Sequence, residues 1–167
     1  MASLAFIEVS IAQQRLRLRS EDKVLMDVSV ATAKNGPGEV KNSECTPRGL
    51  HKIRAKIGSD CDPGTVFVGR RPTGEVYQTS MKQQHPNRDW ILTRIMWLSG
   101  LEPGRNRFGN VDTMSRYVYI HGCPDDDAMG VPSSHGCIKM RNLDVISLFE
   151  LVEIGTRVNI MEGPLKK

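Results

Sequence analysis

No segment of this 167-residue chain is apolar for long enough to cross a bilayer as a helix; its hydrophobic stretches are strand-sized. Nor does it open like a secreted precursor. Met1 to Ser10 has no basic leader, and the apolar run from Leu4 to Ile7 is too short for a signal core and is interrupted by Glu8. These absences predict a soluble protein of the cytoplasm, or of the periplasm if a natural N-terminus has been trimmed. Basic residues are not massed in any tract. The net charge of +4 is spread along the chain, which points away from nucleic-acid and membrane partners while remaining compatible with small acidic peptides. Four cysteines occur, at positions 45, 61, 123 and 137, and none lies in a Cys-x-x-Cys knuckle. Their even number would permit two disulfides only in an oxidising compartment.

The chain is rich in short runs with strand character. Arg15-Leu16-Arg17-Leu18-Arg19 alternates strictly, as a half-buried strand does, with arginines on the solvent side. Leu4 to Ile11, Val24 to Ala33, Leu50 to Ile57 and Thr65 to Val68 read the same way, separated by Asn35-Gly36-Pro37-Gly38 and Thr46-Pro47-Arg48-Gly49. From about residue 70 to 112 the glycines, prolines and both tryptophans suggest a loop-rich flap. Inside it, Ile91 to Leu98 tilts towards strand because of its β-branched residues. Asn142 is placed to cap one main helix running to Gly155, with Leu143, Ile146 and Phe149 on one side and Val145, Leu148 and Val152 close by. Arg157 to Met161 is a final strand. The expectation is a single, mainly β domain over residues 1–163 with a mostly antiparallel sandwich or barrel-like sheet.

Chemistry concentrates in Ser134-His135-Gly136-Cys137-Ile138-Lys139-Met140. A cysteine nucleophile reacts as thiolate, so it needs a proton acceptor nearby and donors aimed at the oxyanion its attack creates. The Gly136-Cys137 turn can supply such donors. Arg116 to Ile120 reads as a strand that delivers His121, a candidate base, followed by Gly122. His121-Gly122-Cys123 repeats the tripeptide His135-Gly136-Cys137, so two imidazoles and two thiols could also form a structural zinc site. Cys123 precedes Pro124 and Asp125-Asp126-Asp127, whose charge raises a thiol pKa and makes it the poorer nucleophile.

A strand-borne His-Gly followed by Ser-His-Gly-Cys-Ile-Lys-Met resembles the active-site signature of the L,D-transpeptidase catalytic domain, the YkuD family. The resemblance implies that Cys137 is the nucleophile, that His121 is its base and that the Gly122 carbonyl fixes the imidazole tautomer. It further places His135 as a structural or substrate-side histidine, Gly136 and Ser134 in the oxyanion turn, and Lys139, Arg141 and Tyr119 at the substrate. Family members usually carry Arg or Asn where Lys139 stands, so a planar contact to a carboxylate becomes a point charge. The implied reaction is acyl transfer at the L,D peptide bond of peptidoglycan tetrapeptides or muropeptides without a cofactor or metal, and it implies reaction with carbapenem-type inhibitors. Without an export signal, hydrolytic trimming (L,D-carboxypeptidase) is expected over crosslinking by transpeptidation. A zinc-binding module and a catalytically silent peptide-binding domain are the alternatives.

Overall fold

The computed structural model describes residues 4–167, so Met1, Ala2 and Ser3, where the domain and leader readings begin, lie outside the described residues. Among the described residues ten strands form one curled sheet: β1 (Ala5–Ser10), β2 (Arg15–Ser20), β3 (Lys23–Ser29), β4 (Gly49–Ile57), β5 (Thr65–Val68), β6 (Arg71–Val76), β7 (Ile91–Gly100), β8 (Tyr119–Gly122), β9 (Ile138–Met140) and β10 (Arg157–Met161). Their order is β3-β2-β1-β10-β4-β7-β5-β6. On the other edge of β7 lies β8, and β9 lies beside β8. Two pairings are parallel, β1 with β10 and β8 with β9.

Alternation decides β2. Leu16 and Leu18 are fully buried, while Arg15 and Arg19 face outward and pair with Asp27 and Glu8, each at 2.8 Å. Helix α2 (Asn142–Leu151) covers the inner face of the sheet, where Val145, Leu148 and Phe149 meet Ile53, Met96, Leu98, Ile120 and Met140. It ends at Leu151, before Gly155, where Val152 turns extended (φ −122°, ψ 162°), and Lys56 Nζ donates to the Phe149 and Val152 carbonyls at 2.6 and 2.8 Å. Leu143 is exposed. Asn142 does not cap: Arg141 holds the cap position without a side-chain bond, and the Asn142 amide faces β7 instead.

The segment expected to be a flap divides into two parts. Ile91–Gly100 is the central strand, flanked by β4 and β5 on one edge and by β8 on the other, and buried on both faces at Leu92, Ile95, Met96 and Leu98. Such a strand needs a continuous apolar run and cannot be a loop. Strand β6 and the short helix α1 (Thr79–Gln84) form the true excursion. It is tied down where Lys82 bonds Asp127 at 2.7 Å and Arg88 bonds Glu75 at 2.7 Å.

Candidate active site

The parallel pairing of β8 and β9 sets Ile120 opposite Ile138, His121 opposite Lys139 and Gly122 opposite Met140. Side chains alternate across a strand. Ile120, Ile138 and Met140 therefore enter the core, while Tyr119, His121 and Lys139 share the other face with Cys137, which enters β9. Strand β8 begins later than the sequence suggests. Met114–Arg116 is a 3-10 turn and Tyr117 is left-handed (φ 58°, ψ 48°), so the regular ladder starts only at Tyr119. The turn has a chemical consequence. It aims the Tyr119 N–H at Cys137 Sγ, 3.3 Å away, while the thiol donates to the Tyr117 carbonyl at 3.5 Å.

His121 is buried, and its Nδ1 lies 2.7 Å from the Gly122 carbonyl. A carbonyl can only accept, so Nδ1 carries the proton and Nε2 is left with the lone pair a general base needs. No hydrogen bond joins His121 to Cys137 among the described residues; the two side chains share a face, offset along the strands. Burial holds the imidazole below its ordinary pKa and pushes the Cys137 thiol up to about 12. Both groups are therefore neutral at rest. Asp89 raises both values, whereas Arg116 and the Tyr119 amide favour the thiolate.

The cysteine turn is built from side chain to backbone. Ser134 Oγ accepts the Gly136 N–H at 3.1 Å and donates to the Cys137 carbonyl at 2.5 Å. Thr46 Oγ1 accepts the Ala33 N–H and donates to the Gly136 carbonyl, both at 2.9 Å. Gly136 adopts φ +129°, and a Cβ there would sit 3.2 Å from the Cys45 carbonyl, so glycine is required. Because Ser134 occupies the Gly136 amide, Gly136 is not an oxyanion donor, a correction to the sequence reading. The Cys137 amide has no partner among the described residues and is the free donor.

His135 is exposed and makes no side-chain hydrogen bond among the described residues. It lines a cleft of about 350 Å³ with Lys82, Asp89, Trp90, Asp127 and Lys139. Lys139 is committed to Asp127 at 2.8 Å and Ser133 at 3.2 Å, while Arg141 is exposed at the start of α2, 3.9 Å from Asp144. The Tyr119 hydroxyl accepts from Arg70 at 2.9 Å. Arg70 also stacks over Trp97 and Tyr117, with its guanidinium carbon 4.7 and 4.8 Å from the ring centres. Sequence reasoning missed Arg70, Asp89, Trp97 and Arg116. For Trp97 the signal was present, because it alternates with Ile95 on the face that pairs with Tyr119 and His121. Cys123 is fully buried; it donates to the Met140 carbonyl at 3.3 Å, and burial pushes its thiol up to about 12. Among the described residues no group of three or more His, Cys, Asp or Glu side chains is arranged to hold a metal ion.

The described L,D-transpeptidase catalytic domain family, YkuD, matches residues 5–160. The Bacillus subtilis (strain 168) protein named "Putative L,D-transpeptidase YkuD" is 34% identical over 95 residues, covering 56% of this chain and 47% of that protein. "Probable L,D-transpeptidase YbiS" of Escherichia coli (strain K12) is 42% identical over 53 residues, 32% of this chain and 17% of that protein. The chain thus spans less than half the length of either relative. Among solved structures, L,D-transpeptidase 3 from Mycobacterium tuberculosis in complex with a faropenem-derived adduct shares the fold. The TM-score is 0.60 at 16% identity, covering 96% of this chain and 61% of that one.

Proposed function

Since the chain belongs to the L,D-transpeptidase (YkuD) catalytic-domain family, we propose that it cleaves the L,D peptide bond of peptidoglycan stem tetrapeptides through a Cys137 thioester. The observation that carries this reading is the tautomer of His121: Nδ1 is committed to the Gly122 carbonyl, which leaves Nε2 free to take a proton. In the first step Nε2 takes the thiol proton as sulfur attacks the carbonyl at the L-centre of the diamino acid. The oxyanion is met by the Cys137 N–H. The carbon–nitrogen bond then breaks, and terminal D-alanine leaves with the proton from His121. In the second step a water gives its proton to His121 and attacks the thioester, and the tripeptide departs as the proton returns to sulfur.

Water is the proposed acceptor, which makes the enzyme an L,D-carboxypeptidase. Lys82 of α1, bonded to Asp127, lines with His135 and Lys139 a cleft of about 350 Å³ next to the turn that carries Cys137, and a restricted approach there would favour water over a second stem peptide. The proposed setting is the cytoplasm, where soluble muropeptides would be trimmed, and cell fractionation with an antibody checks it. Mass spectrometry after incubation with a disaccharide-free tetrapeptide and a D-amino acid tests the reaction. Tripeptide as the main product supports hydrolysis; dimer or exchanged tetrapeptide would replace it with transpeptidation, and no product would remove both. Acylation by a carbapenem should give a single adduct on Cys137 by intact-mass and peptide mapping. An adduct on Cys45 or Cys61 would overturn the nucleophile assignment.

A further inference from the structure

Between Leu92, paired with Gly122, and Ile95, paired with His121, β7 carries two residues that break the ladder directly beside the proposed base. The first, Thr93, has φ +73°, a left-handed conformation that a β-branched residue avoids. The distortion turns its hydroxyl inward. Thr93 Oγ1 accepts the Gly64 N–H at 3.0 Å and donates to Asn142 Oδ1 at 2.5 Å. Asn142 Nδ2 in turn donates to the Cys123 carbonyl and to Asp125 Oδ1, both at 2.9 Å. The Cys123 amide is held by the Met140 carbonyl at 3.1 Å. Both peptide groups flanking Cys123 are therefore fixed, and one of them contains the Gly122 carbonyl that accepts from His121. Gly122 itself is pressed between neighbours: a Cβ built there would lie 2.6 Å from Asn142 Oδ1 and 2.7 Å from the Leu92 carbonyl.

We propose that Thr93 and Asn142 form a clasp between the central strand and helix α2 that positions His121: Asn142 holds the Cys123 carbonyl and packs against Gly122, and so constrains, one peptide away, the Gly122 carbonyl to which the His121 Nδ1–H is bonded. Neither residue reaches the reacting atoms. They are positioning residues, and the strained Thr93 persists because its hydroxyl joins three segments, around Gly64, β7 and α2. The inference rests on His121 acting as the base; its readouts do not require the peptidoglycan substrate, so the two readings can fail separately.

The first measurement uses the unmodified protein. Nitrogen-15 NMR of the His121 ring at neutral pH should show a single neutral tautomer protonated at Nδ1. Thr93→Val keeps the shape and removes the hydroxyl. It should give a mixed-tautomer signal and slow carbapenem acylation of Cys137 by roughly tenfold to a hundredfold, the scale of a misplaced catalytic group. Thr93→Ser, which keeps the hydroxyl, should recover most of that rate. Asn142→Asp retains the acceptor for Thr93 and loses the donor to Cys123, so it should also loosen the tautomer. This variant serves if Thr93→Val does not fold. Mixed tautomers in the unmodified protein would overturn the proposal. So would wild-type tautomer and acylation rate in a folded Thr93→Val or Asn142→Asp variant.

Discussion

The protonation state of Cys137 can be read from the pH dependence of its alkylation. Burial displaces the thiol from an ordinary 9.0 to about 12. That displacement leaves about a thousandfold less thiolate at neutral pH than an unburied thiol would hold, equivalent to about 4 kcal/mol against the anion. Because His121 is displaced downward, the pair stays thiol and imidazole, and the proton moves only as the carbonyl is attacked. Iodoacetamide labelling of Cys137, followed by mass spectrometry from pH 6 to 11, should therefore rise about tenfold per pH unit without a plateau. Slope is the diagnostic, because restricted access scales the whole curve without bending it. Asp89→Asn removes a carboxylate that raises the thiol and should move the curve to lower pH. Arg116→Gln removes a cation that lowers it and should do the reverse. A plateau between about pH 6 and 8, the mark of a preformed thiolate–imidazolium pair, would refute the reasoning.

Cys137→Ala should abolish turnover with the fold retained, whereas Cys123→Ala, at a buried thiol bonded to the Met140 carbonyl, should leave activity and cost about 1 kcal/mol in urea unfolding. Equal loss of activity in the two folded variants would revive a paired-thiol site. Gly122→Ala should destabilise by about 1–3 kcal/mol and reduce acylation, because its new methyl meets the Leu92 carbonyl at 2.7 Å. Calorimetry with a carbapenem progress curve checks both effects. His51 is buried between the Gly49 carbonyl at 3.0 Å and Thr113 Oγ1 at 2.9 Å, and burial lowers its pKa from 6.5 to about 4. The unfolded chain then binds the proton first, so stability is lost as pH falls from 6.5 towards 4, by about 3 kcal/mol for this residue. Urea midpoints across that range should fall less steeply in His51→Gln than in the unmodified protein.

Much of the sheet is legible in local pattern. The alternation of Arg15 to Arg19 specifies which face is wet, and the β-branched run from Ile91 specifies a strand, because side-chain period is a property of neighbouring residues alone. The same holds for the cysteine turn, where a glycine at φ +129° between His135 and Cys137 is written into the sequence. What only the tertiary structure decided depends on partners far along the chain. Ile91–Gly100 is central because β4, β5 and β8 all pair with it, which no window of sequence reveals. Asn142 looks like a helix cap until Thr93, 49 positions away, takes its oxygen. Lys139 reads as a free cation until Asp127 and Ser133 fold against it. The charge states of Cys137 and His121 were the furthest from view. Residue type supplies an ordinary pKa, whereas the displacement comes from lost water, and how much water is lost is set by the packing of segments that meet only in the folded protein.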